Sequence, residues 1–215
     1  MSKKLTLTFD NGPEAGATDY VLDILKRRSL KVFFFVIGQK AARPEGQRLL
    51  RRMVEEGHVV GNHTMTHSMP LGLGDAAFAK NEVLQAEAAI SSFANDPPLF
   101  RPYAGKGVLG PHLLKTDVVG ILQHKGYSVA LWNSVPRDWE EPFDGWVKRG
   151  LADIDANDWT VMVLHDVRRL AMEHLEEFLD EVAMRDVQLV QTLPDSCLPM
   201  KGGIAREALA SLVST

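Results

Sequence analysis

Two short segments of this 215-residue chain carry groups that can hold a metal ion and move protons. In Leu7-Thr8-Phe9-Asp10-Asn11-Gly12-Pro13 an apolar run ends in a carboxylate and an amide, and the Gly-Pro pair then turns the chain. About fifty residues later, Gly61-Asn62-His63-Thr64-Met65-Thr66-His67 offers two imidazoles at i and i+4, a spacing that predicts both on one side of a helical turn. Two histidines and one oxygen ligand leave a coordination position open for water, as hydrolysis at zinc requires.

Each candidate residue has a second reading. Asp10 is either a general base within reach of an activated water or the carboxylate of an Asp-Asn-Gly-Pro bend. His63 and His67 are either ligands or surface and capping histidines. His165 ends Val161-Met162-Val163-Leu164, a run apolar enough for a buried strand, so it is either a satisfied core histidine or an acid–base group at the strand's end. Arg101, after Pro97-Pro98-Leu99-Phe100, is either an ordinary surface arginine or a bidentate clamp on a buried carboxylate. Asp138-Trp139 is either loop and packing or an arginine partner beside an apolar wall.

Positioning these groups falls to short β-rich runs at 5–9, 32–37, 58–60, 99–101, 127–132, 160–164 and 187–189. They alternate with amphipathic stretches at 18–28, 41–56, 75–93, 111–125, 143–151, 168–185 and 204–213. Thr18 and Asp75 are expected N-caps, and Gly57 and Gly126 expected helix stops. Seven strand–helix repeats with short connections imply a parallel sheet with right-handed crossovers. The expected fold is α/β, a distorted barrel of seven or eight strands. The candidate polar residues fall at C-terminal strand ends far apart in sequence, and closure is what brings them together.

The 24 basic and 28 acidic residues give a net charge of −4, with no basic stripe interleaved with aromatics, so nucleic acid is not an expected partner. No apolar run approaches the roughly 18 residues of a membrane span, and 5–10 is too short and polar for a signal h-region. A cytoplasmic location with no membrane partner is therefore expected, in one domain spanning 1–215. Cys197 is the single cysteine, which excludes an intrachain disulfide.

The motifs themselves carry a likeness. Thr8-Phe9-Asp10-Asn11-Gly12-Pro13 is similar to T-F-D-D-G-P, and Phe34-Phe35-Val36-Ile37-Gly38 to F-F-V-x-G. Gly57-His58 with Gly61-Asn62-His63-Thr64-Met65-Thr66-His67 is similar to G-H-E-I-G-N-H-[ST]-x-x-H, and Phe100-Arg101-Pro102-Tyr103 to F-R-P-P-[YF]. Trp132 with Asp138-Trp139 matches a D-x-x-D-W region, and Val163-Leu164-His165 matches L-x-H. On these, in order and over roughly residues 4–195, the chain resembles the polysaccharide deacetylases, carbohydrate esterase family 4 or the NodB homology domain. The resemblance implies a NodB-like distorted (β/α) barrel, zinc or a similar divalent metal, and removal of an acetyl group from an N-acetylated sugar. Carried over, it makes Asn11, His63 and His67 the metal ligands and Asp10 the base, oriented by Arg101. His165 becomes the acid that protonates the leaving amine. Val163 and Trp139 would line the acetyl pocket with Asp138 beside them, and the N–H of Tyr103 or Ala104 would hold the oxyanion.

The chain departs from the family pattern at several positions. Asn11 stands where the ligand aspartate is usual and brings no charge, so weaker metal binding is expected; a branch resembling muramic-acid deacetylases shares F-D-N-G. Aligned without a gap, Tyr103 takes the second proline of F-R-P-P-[YF] and Ala104 the aromatic, keeping the backbone donor but not the aromatic wall. Val135 takes the first aspartate of D-x-x-D-W, read as the support of the acid histidine, so the pKa of His165 is expected to fall. Asp166 follows His165 but on a strand points the other way. Phe33, in place of threonine, reads as packing. Three functions are compatible with this pattern: an N-deacetylase of chitooligosaccharide- or peptidoglycan-type glycans, a hydrolase of a small cytosolic amide or imide, and a non-catalytic glycan-binding relative.

Overall fold

The computed structural model describes residues 2–214. β1 (Lys3–Asp10) alternates Leu5, Leu7 and Phe9 with Thr6, Thr8 and Asp10, and residues 5–10 are all buried. With successive side chains on opposite faces, the three apolar residues join the cluster under the helices, and Thr8 and Asp10 meet Arg101 on the other face. Then come α1 (Ala17–Arg27), β2 (Phe33–Val36), α2 (Gly38–Ala41), α3 (Pro44–Glu55), β3 (Val59–Asn62), α4 (Ala76–Ile90) and β4 (Leu99–Phe100). They are followed by β5 (Leu114–Lys115), α5 (Thr116–His124), β6 (Ser128–Val129), α6 (Gly145–Ala156), β7 (Trp159–His165), α7 (Arg169–Met172), α8 (Leu175–Ala183) and β8 (Val187–Leu189). β9 (Met200–Lys201), β10 (Ile204–Ala205) and β11 (Val213–Ser214) complete the chain.

The main sheet runs β10-β9-β6-β4-β3-β2-β1-β7, with β8 pairing the first half of β1 on the edge whose second half pairs β2. Strands β1 to β4 and β6 to β8 are joined in parallel, and β9 and β10 add an antiparallel edge. A bridge from Ser134, just past β6, to Met162 of β7 closes the curl. The expected distorted barrel is therefore present, mixed rather than wholly parallel.

Four expected helical stretches are corrected. The 41–56 stretch breaks into α2 and α3 where Pro44 starts a new helix, and 168–185 breaks into α7 and α8. The 111–125 stretch opens with a 3₁₀ turn and β5 before α5 begins. The 204–213 stretch is no α-helix: Gly202-Gly203, both left-handed, fold β9 onto β10, and a 3₁₀ segment (Glu207–Leu212) follows. Asp75 caps α4 as expected, its Oδ1 accepting from the Phe78 N–H at 2.7 Å. Thr18 does not cap α1; Gly16 holds that position. Gly57 and Gly126 adopt the left-handed conformation just beyond α3 and α5. No helix among the described residues is long and apolar enough to cross a membrane.

Candidate active site

The parallel register of β1 and β7 sets Asp10 beside His165 at the ends of neighbouring strands. Asp10 Oδ1 accepts a 2.8 Å hydrogen bond from Arg101 Nη1. Arg101 is fully buried and makes three further hydrogen bonds: Nη1 also reaches Thr8 Oγ1 at 2.6 Å, Nε the Ala130 carbonyl at 3.1 Å and Nη2 the Leu131 carbonyl at 3.3 Å. The Phe35 ring lies 4.0 Å from the guanidinium carbon. The expected bidentate clamp is thus a single hydrogen bond, the Thr8 hydroxyl and two backbone carbonyls engaging other edges of the fork. Asp10 Oδ2 stands 3.6 Å from His63 Nε2.

His63 and His67 do not share a helical turn. They lie in the bend after β3, where Thr64 and His67 take positive φ values of 67° and 54°. His63 Nδ1 is 2.8 Å from the Arg101 carbonyl. A carbonyl only accepts, so Nδ1 carries the proton and Nε2 keeps its lone pair. Burial lowers His63 to about 3, helped by the Arg101 charge, and lowers His67 to about 3, helped by its neighbour His63. Both imidazoles are therefore neutral donors at physiological pH. Asn11, at φ 73°, has a buried Oδ1 with no hydrogen-bond partner. Among the described residues no three histidine, cysteine or carboxylate groups gather into a metal site, and the Asn11 amide lines the same cleft as His63 and His67. An orphaned buried amide oxygen and two neutral imidazoles fit a divalent cation.

His165 has the support that the sequence placed elsewhere. Asp138 Oδ1 lies 2.7 Å from His165 Nδ1, and Asp138 Oδ2 accepts the His165 backbone N–H at 2.8 Å. Burial pulls this imidazole down, but the Asp138 carboxylate, with Asp10 and Asp166 behind it, outweighs burial and raises its pKa above the ordinary histidine value. The expected fall is overturned, and the supporting carboxylate stands three positions after Val135. Asp138 is 1% exposed, and the Trp139 ring meets His165 edge-on at 5.1 Å. Asp166 does point away from His165's ring partner: its Oδ2 accepts from Thr18 Oγ1 at 2.5 Å, and burial raises it to about 6. A Cβ on Gly12 would stand 2.3 Å from that carboxylate, so a larger residue there would have to displace Asp166 from Thr18.

A cleft of about 210 Å³ gathers Asp10, Asn11, His63, His67 and His165, with Tyr103, Ala104, Trp139 and Val163 in its walls. Val135 lines it too, and Phe33 is packed in the core against Phe35. Neither the Tyr103 nor the Ala104 N–H donates to a protein acceptor among the described residues. Their segment is pinned by His112 Nε2, 3.1 Å from the Ala104 carbonyl, and by Trp132 Nε1, which donates to the Gly107 carbonyl at 3.1 Å. Thr8 and His112 were not singled out from sequence. Thr8 is a motif letter with no visible charge partner, and His112 has no spacing signal at all.

The polysaccharide deacetylase family model matches residues 1–129. A peptidoglycan-N-acetylglucosamine deacetylase of Bacillus cereus is 30% identical over 167 residues, 76% of this chain and 73% of the relative. A chitooligosaccharide deacetylase of a Bradyrhizobium species is 38% identical over 167 residues, 77% and 71% of the two chains. The solved peptidoglycan deacetylase PdaC of Bacillus subtilis superposes with a TM-score of 0.73 at 27% identity, over 89% of this chain and 88% of that one. The motif order, the barrel and these likenesses agree, and the chain belongs to the polysaccharide deacetylase family of carbohydrate esterases, a family of hydrolases.

Proposed function

We propose that the protein removes the acetyl group from an N-acetylated sugar of a chitooligosaccharide- or peptidoglycan-type glycan, the substrates named for its relatives. The observation that carries this reading is the apposition, at one cleft, of an arginine-held carboxylate and a carboxylate-backed histidine. Asn11, His63 and His67 would hold a divalent cation, zinc being the first candidate for two imidazoles and an oxygen. Such an ion would supply Lewis acidity toward water and the acetyl oxygen.

The chain's own groups have the remaining tasks. Asp10, fixed by Arg101, takes a proton from the water that adds to the acetyl carbon. The N–H of Tyr103 or Ala104 donates to the oxygen that gains charge. His165, held protonated by Asp138, gives its proton to the sugar nitrogen as the C–N bond breaks, releasing acetate and the free amine. Solvent then takes the proton from Asp10 and restores the one on His165. Val163 and Trp139 shape a pocket for the acetyl methyl.

The test is acetate release from N-acetylchitooligosaccharides and from a peptidoglycan glycan with Zn²⁺ supplied. Asp10→Asn and His165→Asn are each expected to lower turnover by at least about 100-fold while staying folded. Full activity in either variant overturns the assigned roles. Saturable glycan binding without acetate release by the wild type overturns the hydrolytic reading.

A further inference from the structure

Each of the three site histidines has a ring to orient, and two of them do so through hydrogen bonds: His63 to the Arg101 carbonyl and His165 to Asp138. His67 is different. Its backbone is fixed, at φ 54°, with its N–H donating to Thr64 Oγ1 at 3.2 Å. Its ring nitrogens make no hydrogen bond to another residue among those described. A ligating histidine normally has its second nitrogen held by a carboxylate, carbonyl or water, which fixes the plane of the ring. What His67 has instead is aromatic contact. The Tyr103 ring lies against it, centroids 3.8 Å apart and planes tilted by 40°, and the anchored His63 ring lies 4.8 Å from it with planes tilted by 49°.

Tyr103 is in a position to do this because its own segment is held at both ends. Arg101, two residues before it, is buried, donates its N–H to the Asn62 carbonyl at 2.9 Å and accepts from His63. Ala104, one residue after it, has its carbonyl bonded by His112. One short stretch therefore meets both imidazoles, His63 through a carbonyl and His67 through a ring. We infer that Tyr103 is a positioning residue for His67, its ring taking the place of the missing hydrogen-bond partner and setting how tightly the site holds a divalent cation. This rests on the reading of His67 as a ligand made above. It also gives the aromatic ring in the proline slot of F-R-P-P-[YF] a task separate from sugar contact.

The experiment uses the full chain stripped of metal by a chelator and titrated with Zn²⁺ by calorimetry, and with Co²⁺ by visible absorption. Loss of a partner that orients a ligand costs roughly 10–100-fold in metal affinity, and Tyr103→Ala and Tyr103→Leu are expected to weaken Zn²⁺ binding by about 10-fold. The Co²⁺ spectrum should change in both variants. Tyr103→Phe, which keeps the ring, is expected to stay within about twofold of wild type with an unchanged spectrum. Leucine guards against a simple packing defect, and melting of the metal-free forms shows that each variant is folded. Wild-type affinity in the folded leucine variant overturns the inference, as does a phenylalanine variant as weak as alanine. A wild type that binds neither ion overturns the ligand reading as well, whereas a wild type that binds and variants that do not differ overturn this inference alone.

Discussion

The Asp138 carboxylate favours the protonated form of His165, the acid of the proposed reaction. His165 carries a pKa above its ordinary value chiefly because the Asp138 carboxylate opposes the effect of burial. A group that acts as an acid works below its pKa, so activity should persist to a higher pH than an isolated histidine allows and then decline as His165 loses its proton. Asp138→Asn keeps a hydrogen-bonding shape without the charge. The expected result is a loss of about 100-fold in kcat, with the alkaline limb of the pH–rate profile moved to lower pH. An unmoved limb in a folded variant would show that Asp138 holds the ring without tuning it. The sequence offered this aspartate as loop packing, an arginine partner or a neighbour of the acetyl pocket, not as the support of the histidine. Which carboxylate meets the histidine depends on how the 130–139 loop returns over β7, and no local pattern encodes that.

At the scale of elements, the loops leaving the strands hold the site, whereas His58 lies where the chain enters β3 and sets a cost in stability at low pH. It opens the approach to β3, 6% exposed, with its Nδ1 accepting the Val32 N–H at 3.2 Å at the edge of β2. Its Nε2 is buried with no partner, and burial lowers its pKa to about 4. Above pH 6.5 both the folded and unfolded chains hold this histidine neutral. Between 6.5 and about 4 the unfolded chain binds a proton that the folded chain refuses, so this contribution to stability is lost as pH falls, by up to roughly 3 kcal/mol. Asp166 opposes the trend, since a carboxyl raised to about 6 favours the folded state on acidification. The difference between His58→Asn and wild type isolates the histidine, and asparagine can still accept from Val32. Denaturant unfolding at pH 7 and pH 4.5 should find the variant losing less stability than wild type; equal losses would refute the assignment.

For the whole molecule, much of the fold was legible because alternation and turn chemistry are local. The Leu-Thr-Leu-Thr-Phe-Asp run of β1 shows its two faces directly, Asp75 starts α4, and Gly57 and Gly126 stop α3 and α5 where expected. The C-terminal hairpin at Gly202-Gly203 was missed, because a helical period over 204–213 concealed it. The seam was not readable. Closure depends on an irregular stretch past β6, where the Ser134 N–H donates to the Val161 carbonyl at 3.2 Å and the Val163 N–H donates to the Ser134 carbonyl at 3.0 Å. Ser134 is buried, and its hydroxyl donates to Asp153 at 2.6 Å. This seam holds the strand that carries Val163 and His165 against the cleft, so its two kinds of bond should separate on mutation. Ser134→Ala removes only the hydroxyl and should cost about 1 kcal/mol of stability with kcat within about twofold of wild type. Ser134→Pro removes the ladder N–H and should cost about 3 kcal/mol, with kcat at least about 10-fold lower in the protein that remains folded. Denaturant midpoints and acetate release on the same samples separate the two effects. A folded proline variant with undiminished kcat would mean that β7 is positioned by β1 alone and that closure of the barrel is not needed to place His165.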